Sequence, residues 1–328
     1  SLGGVVPWSN RIVSAALSNF TPAIRFGVVA DSHVDILGHN GWRMGAISEL
    51  GLEMTVSAMN DAGLDFVLVP GDLLLDGEWE NLEVAKKLLD GLSAPYYIIS
   101  GNHDYRPADS SRLRSGFSYL TTPEFIEVFK AHGYSAGGPR YWSCRLASGL
   151  RLIGLDGCLP QATRGWGGLL DENQLMWLTE QLDTSNEPII VMVHHCLLHW
   201  GKDGSSQAGR WNSLENSPRV RSLLSHYQEK IVMVISGHRH IGLHHRVIEG
   251  VTYFVVPSIN SYPMRYTLFN LEQDRIRWTT PAVQVGEEFH NEALKGLLRT
   301  PWFSALDSSS RKLLLQFYEN NSDREGCV

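Results

Sequence analysis

The residues of this chain that could carry out chemistry lie in short polar segments, and each segment directly follows a largely apolar run. In the most informative of them, residues 95–100 lead into Gly101, Asn102, His103 and Asp104. The other segments are Asp31-Ser32-His33, Gly71-Asp72, His194-His195 and Gly237-His238-Arg239-His240. Carboxylate, imidazole and amide ligands without a thiolate suit Mn, Fe, Zn or Co. The residue types therefore predict a metal site built from several segments.

Each segment taken alone also has an ordinary structural explanation. Asp31 or Asp72 could be a turn residue or a helix N-cap, and Asn102 could belong to a tight turn. Five segments that each follow a predicted strand favour a shared site, because ligands bind at the carboxyl ends of strands in open α/β sheets. Two cations about 3.5–4 Å apart need a bridging anion. Asp72, at the end of the middle strand, is the predicted bridge.

Composition excludes several classes of function. The chain has 328 residues and a net charge of -7 that is not concentrated in a tail, so we expect no nucleic-acid polymer as a partner. No apolar run approaches the roughly 20 residues that span a bilayer, so we expect no membrane-embedded segment. The four cysteines form no CxxC pair, which favours free thiols. We expect the native N-terminus to be missing, so the compartment stays open, with the cytoplasm slightly favoured.

Apolar and periodic patterns predict an alternation of strands and helices. Short apolar runs predict buried strands over residues 26–30, 65–70, 95–100, 150–156, 188–193 and 231–235. Helical patterns cover residues 44–62, 79–92, 124–132, 171–182 and 213–228, with Asp171 as an N-cap and Gln174 in the capping-box position. Residues 251–256, 265–271 and 276–280 are predicted as consecutive antiparallel strands, and 287–298 and 308–318 as helices. The predicted fold class is α/β, a four-layer α/β/β/α sandwich of two mixed sheets.

In this order, the five polar segments resemble the signature of the calcineurin-like metallophosphoesterase superfamily, over residues 24 to about 270. In overall size and in its His194-His195 pair, the chain is most similar to the class III cyclic-nucleotide and glycerophosphodiester phosphodiesterases. We divide it into an N-terminal arm (1–23), a metallophosphoesterase domain (24–280) and a helical C-terminal extension (281–328).

The resemblance implies two bound metal ions, with Mn, Fe and Zn as the candidates. One ion would be held by Asp31, His33, Asp72 and His240. The other would be held by Asp72, Asn102, His194 and His238.

The same resemblance implies a metal-dependent hydrolase of a small phosphodiester, of the cyclic-nucleotide or glycerophosphodiester type, with in-line attack by a metal-bridging hydroxide. We expect His103 to protonate the leaving group and Asp104 to orient His103. The predicted substrate contacts are Asn102, His103 and His195. The only predicted partners are the small phosphate-ester substrate and, through the C-terminal extension, a second copy of the chain. The alternatives are a phosphomonoesterase of the same fold and a non-catalytic metal-binding scaffold, which would have lost some ligands.

Overall fold

The computed structural model describes residues 23–135, 137–158, 167–198, 212–273, 275–319 and 325–327. The predicted N-terminal arm lies outside the described residues, apart from residue 23. In the described part, none of the helices has the length and apolar character needed to cross a bilayer.

The strands and helices follow the predicted order closely. The strands, numbered along the chain, are β1 (Ile24–Val28), β2 (Phe66–Val69), β3 (Tyr96–Ile98), β4 (Trp142–Arg145), β5 (Arg151–Leu155), β6 (Ile189–Val193), β7 (Ile231–Ser236), β8 (His244–Ile248), β9 (Val251–Val255), β10 (Thr267–Leu271), β11 (Ile276–Thr279) and β12 (Glu325–Cys327). The helices are α1 (Ser48–Asp61), α2 (Trp79–Leu89), α3 (Thr122–Val128), α4 (Glu172–Thr184), α5 (Ser217–His226), α6 (Glu287–Arg299), α7 (Pro301–Ser304) and α8 (Ser308–Glu319). Two short 3-10 helices cover Gly45–Ile47 and Ser110–Arg112.

These strands form two mixed sheets. The first has the order β12-β11-β10-β1-β2-β3, and the second has the order β4-β5-β6-β7-β9-β8. Strands β1 to β3 are parallel, and so are β5, β6, β7 and β9. The sheets pack face to face, since Phe254 of β9 meets Phe269 of β10 with 5.0 Å between ring centroids. The prediction of an α/β fold with two mixed sheets is confirmed.

Strands β2, β6 and β7 are buried on both faces, which explains their almost uninterrupted apolar sequences. All five residues of β6 and all six of β7 are buried. A strand buried on both faces cannot accommodate unpaired polar side chains, so the first such side chain lies just beyond its end, at the carboxyl edge of the sheet. The two parallel sets therefore deliver their polar C-terminal residues to one edge of the fold.

Two details of the predicted elements are wrong. Strand β9 is not part of a meander with β10, because it lies in the second sheet, parallel to β7 and antiparallel to the unpredicted β8. Asp171 does cap α4, accepting from the amide of Gln174 at 2.8 Å. The Gln174 side chain, however, bonds the backbone of Asp156 instead of completing a capping box.

The C-terminal region is part of the packed body of the protein. Ala293 and Leu297 of α6 and Phe303 of α7 are buried in the hydrophobic cores. Strand β12 pairs with β11 at the edge of the first sheet. The segment predicted as a helical extension therefore also contributes a strand, and the boundary at residue 280 stays a prediction.

Candidate dimetal centre

The first ligand group lies after β1 and β2 and is completed from the turn that follows β7. Asp31, His33, Asp72 and His240 each offer a ligand atom within 4.8 Å of the others, and all four residues are buried. His33 Nε2 is 3.0 Å from His240 Nε2 and 3.5 Å from Asp72 Oδ2. His240 Nε2 lies 3.3 Å from Asp31 Oδ1. Four donor atoms thus surround one point.

A second ligand group shares Asp72 with the first. It consists of Asp72, His194 and His238. His194 Nε2 lies 3.3 Å from Asp72 Oδ2 and 3.2 Å from His238 Nδ1. Asn102 Oδ1 lies 3.2 Å from the same His194 nitrogen. The structure therefore brings together all seven residues predicted as metal ligands, with His194 rather than His195 in the group.

The chemistry of these donors fits a pair of cations. The ring of His33 faces the Leu74 carbonyl through Nδ1, and the ring of His194 faces the Pro70 carbonyl in the same way. A neutral ring that donates from Nδ1 carries a lone pair on Nε2. On both rings, the Nε2 lone pair faces the Asp72 carboxylate and a ring nitrogen of another ligand histidine. A positive charge between these atoms would stabilise the arrangement.

The electrostatics of the ligand residues also favour bound positive charge. Burial opposes charge on Asp72 and His194, but their mutual attraction holds the pKa of Asp72 well below its usual value and raises the pKa of His194 to about 9. The Asp72 carboxylate therefore favours a positive charge beside it. Burial, followed by the nearby Arg43 charge, lowers the pKa of His33 well below the usual value, which keeps its ring available as a neutral ligand.

The backbone at the ligands is strained. The described non-glycine residues with positive φ are Asp31, His33, Asp72, His238, His240, Glu249 and Met264. Five of these seven are predicted ligands. Left-handed backbone at non-glycine residues costs of order 1–3 kcal/mol each and is concentrated at functional sites. The fold therefore holds these side chains in place against a local conformational cost.

Two glycines leave room for the shared carboxylate and its neighbours. A Cβ at Gly101 would come within 2.2 Å of Asp72 Oδ1 and 2.3 Å of the Asp72 backbone nitrogen. A Cβ at Gly237 would come within 2.7 Å of Asp31 Oδ2. No side chain fits at these distances, so glycine at both positions follows from the packing of the ligands.

A loop between β9 and β10 supports the first group from behind. Ser261 Oγ lies 2.8 Å from His240 Nδ1, and Ser258 Oγ donates to the Asp31 carbonyl at 2.8 Å. Trp42 stacks on the His240 ring with 4.8 Å between ring centroids. Sequence analysis missed Ser258, Ser261 and Trp42, because no pattern in the sequence connects them with the ligand segments.

His103 lies beside the two groups, but its predicted partner is wrong. The Asp104 carboxylate accepts from the backbone amides of Leu74 and Gly101, at 2.9 and 2.7 Å. It is Asp76 whose Oδ1 lies 2.9 Å from His103 Nδ1. Burial, reinforced by the Asp72 charge, raises the pKa of Asp104 to about 7. Asp104 therefore fixes the turn between β3 and the ligand segment. The His103 ring is oriented instead by Asp76 and by the Leu75 carbonyl oxygen, which lies 2.6 Å from the same ring nitrogen.

The charge state of His103 bears on its predicted role. Burial and then the Arg43 charge lower the pKa of His103 to about 4, although the Asp72 charge and the Leu75 carbonyl favour a protonated ring. The larger effect leaves the ring neutral near pH 7. A role as a proton donor then requires that the ring gain a proton when a negatively charged group comes beside it.

The other two predicted substrate contacts differ in their surroundings. Asn102 Nδ2 is buried and has no hydrogen-bond partner among the described residues, so this donor is available to a ligand. His195 exposes none of its surface, and its ring packs 4.4 Å from the ring of His238. A Cβ at Gly168 would lie 2.7 Å from His195 Nδ1. This burial argues against a substrate contact by His195.

A fold of two packed mixed sheets with this pair of ligand groups defines a metal-dependent phosphoesterase architecture. The model of the Calcineurin-like phosphoesterase family matches residues 24–242, about two thirds of the chain. The protein belongs to the calcineurin-like phosphoesterase family. This family depends on two metal ions, and the Asp and His groups described above could bind them.

Curated relatives with phosphodiesterase names match part of the chain. A probable cyclic nucleotide phosphodiesterase of Synechococcus is 27% identical over 176 residues, which are 54% of this chain and 58% of that protein. The glycerophosphodiester phosphodiesterase GpdQ of Enterobacter lignolyticus is 29% identical over 177 residues, 54% of this chain and 56% of that protein. These alignments span just over half the length of both relatives. The 3',5'-cyclic adenosine monophosphate phosphodiesterase CpdA of Pseudomonas aeruginosa is 26% identical over 228 residues, 67% of this chain and 72% of that protein.

Solved structures share the fold at lower identity. A dimetal phosphatase from Danio rerio superposes with a TM-score of 0.59 and 17% identity, covering 78% of this chain and 95% of that chain. The purple acid phosphatase PPD1 from yellow lupin superposes with a TM-score of 0.56 and 14% identity, covering 81% and 52%. Both similarities concern the fold alone.

Proposed function

We propose that this protein is a dimetal-dependent phosphodiesterase that hydrolyses a small diester of the cyclic-nucleotide or glycerophosphodiester type. The observation that carries the proposal is the single carboxylate oxygen, Asp72 Oδ2, that lies within 3.5 Å of a ligand nitrogen from each group. The phosphodiesterase names of the relatives favour a diester over a monoester. All the predicted ligands are present, which argues against a non-catalytic scaffold.

The described residues divide the work of the reaction. When bound, the metal pair supplies a nucleophile from water near neutral pH and Lewis acidity at the phosphoryl group. Asp72 Oδ1 accepts from the His103 amide at 2.8 Å, so the bridging carboxylate has a fixed orientation. In this proposal, Asn102 Nδ2 donates to a phosphoryl oxygen, and His103 delivers a proton to the leaving oxygen.

The test compares hydrolysis of bis-p-nitrophenyl phosphate and p-nitrophenyl phosphate by the protein loaded with Mn and by the chelated protein. We expect diester hydrolysis that chelation abolishes and added Mn restores. The variant His194→Ala should lose metal and activity, whereas His226→Ala, an exposed histidine of α5, should lose neither. Turnover that survives thorough chelation would refute the metal dependence. A large preference for the monoester would instead support a phosphomonoesterase of the same fold.

A further inference from the structure

Two arginines meet at the edge of His103, and neither belongs to a ligand segment. Arg43 Nη1 lies 3.4 Å from His103 Nδ1 and 3.1 Å from His33 Nδ1. Arg112 Nη2 lies 3.0 Å from the same His103 nitrogen. One guanidinium comes from the segment before α1 and the other from the 3-10 helix Ser110–Arg112. Two positive charges are thus held next to one imidazole at the border of the metal centre.

The two guanidiniums are not compensated in the same way. Arg112 forms an ion pair with Asp76. Arg43, which is partly buried, has no ion pair with a carboxylate in the described part of the chain. Burial and the proximity of Arg43 lower the pKa of Arg112 to about 10, so the two charges repel each other. A partly buried cation that contacts neutral groups but forms no ion pair is costly unless an anion joins it.

Metal binding would make this imbalance larger. Asp35 and Glu78 favour the charged form of Arg43, but Asp72 and then Asp31 do so more strongly. These last two are predicted metal ligands, so bound cations would offset their charge. The positive charge of Arg43 would then remain for an anion supplied from outside the protein.

The backbone holds Arg43 in register with the ligands. Residues 43 and 261 form an isolated β-bridge, and the Met44 amide donates to the Asn260 carbonyl at 2.9 Å. Ser261 also contacts the ligand His240 through its side chain. One loop therefore positions both a metal ligand and the arginine, and an arginine preorganised in this way binds an anion with little loss of conformational entropy.

We propose that Arg43, assisted by Arg112, binds a second anionic group carried by the leaving group of the substrate. This inference rests on the proposed function, because it places the scissile phosphate on the metal pair and His103 at the leaving oxygen. Both arginines contact His103 at Nδ1. Because His103 is proposed to lie at the leaving oxygen, the arginines would be close to the rest of the leaving group. The preferred substrates are then phosphate esters whose leaving group bears a carboxylate or a further phosphate.

The test uses two diesters that differ by one charge on the leaving group, 4-carboxyphenyl methyl phosphate and 4-carbamoylphenyl methyl phosphate. With the Mn-loaded protein we expect a higher kcat/KM for the carboxylate ester. Arg43→Gln should lower the ratio of the two kcat/KM values by about 10- to 100-fold, the range typical of a charge-assisted hydrogen bond. Arg25→Gln removes the same charge from an exposed position in β1 and should leave the ratio unchanged.

Two outcomes would overturn the inference. One is a wild-type protein that does not prefer the carboxylate ester, and the other is an Arg43→Gln variant that slows both esters equally at unchanged metal content. Binding of 4-hydroxybenzoate and 4-hydroxybenzamide to the Mn-loaded protein, measured by calorimetry, separates this inference from the proposed function. Preferential binding of the benzoate that depends on Arg43, without hydrolysis of either ester, would support the anion site and refute the phosphodiesterase.

Discussion

A methyl group at Gly101 would test whether both ligand groups depend on one carboxylate. In Gly101→Ala the new Cβ would lie 2.2 Å from Asp72 Oδ1 and 2.3 Å from the Asp72 backbone nitrogen. Rotation of a side chain cannot relieve this contact, because one of the two atoms belongs to the backbone. The Asp72 carboxylate has to move, or the turn after β3 has to move away from it.

The size of the effect follows from these distances. Non-bonded carbon and oxygen atoms are comfortable at about 3.5 Å, so the carboxylate has to shift by roughly 1 Å. A misplacement of about 1 Å in an active site can cost on the order of 100-fold in rate. Because Asp72 serves both groups, we expect Gly101→Ala to weaken the binding of both metal ions together.

The assay measures metal content by mass spectrometry after dialysis at fixed Mn concentration, followed by diester hydrolysis. The matched control is Gly51→Ala in α1, whose Cβ would meet only the Ile259 carbonyl oxygen, at 3.9 Å. Alanine is the better helix former by about 1 kcal/mol, so this control should raise the free energy of unfolding and keep both metals.

A Gly101→Ala protein that binds two metal ions with wild-type affinity and hydrolyses the diester at the wild-type rate would refute the reasoning. If Gly101→Ala does not fold, Asp72→Asn provides the same test without adding volume. That variant removes the negative charge at the shared position, and we expect it to lose both ions. Retention of one ion at full occupancy would show that Asp72 is not shared.

Three further predictions follow from contacts outside the ligand groups. Asp76→Ala removes the carboxylate acceptor at His103 Nδ1 and leaves the Leu75 carbonyl, so kcat should fall by about 10- to 100-fold while metal content stays unchanged; an unchanged kcat would show that Asp76 does not position His103. Gly296→Val should lower the free energy of unfolding by about 1–3 kcal/mol in urea, because its Cβ would lie 2.2 Å from the Gly41 carbonyl oxygen; an unchanged midpoint would contradict this packing. Burial lowers the pKa of His132 below 6.5, so the folded protein loses stability as the pH falls below that value. His132→Gln should reduce the loss of Tm between about pH 7.5 and about pH 5.5, and an identical loss would exclude His132 as a cause.

The ligand segments could be located from the sequence because fully buried strands leave a strong signal. Strand β6 is five apolar residues followed by His194, and β2 is four apolar residues followed shortly by Asp72. A parallel strand buried on both faces cannot contain such polar side chains, so they have to appear at its end. The same reasoning locates Asn102 after β3.

The parts that could not be predicted depend on long-range pairing. Strand β8 was missed because only its first residue is fully buried, and its sequence mixes histidine, arginine and apolar residues. Strand β9 was assigned to the wrong neighbours because closeness in sequence does not reveal which of two sheets an apolar run joins. The sequence predicted Asp104 as the partner of His103, but the structure has Asp76, because the path of the chain after β2 decides that contact. No local pattern encodes this path.

Left-handed backbone at five ligands limits which metals the centre could be redesigned to bind. These ligands are Asp31, His33, Asp72, His238 and His240. Aspartate, asparagine and histidine are the non-glycine residues that adopt this conformation most readily, and they are also hard or borderline metal ligands. Exchanging one of these five for cysteine, to favour a softer metal, would raise the backbone strain at that position in addition to changing the ligand. His194 and Asn102 are not among the residues with positive φ. A protein engineer who wishes to change the metal preference should therefore begin at those two positions.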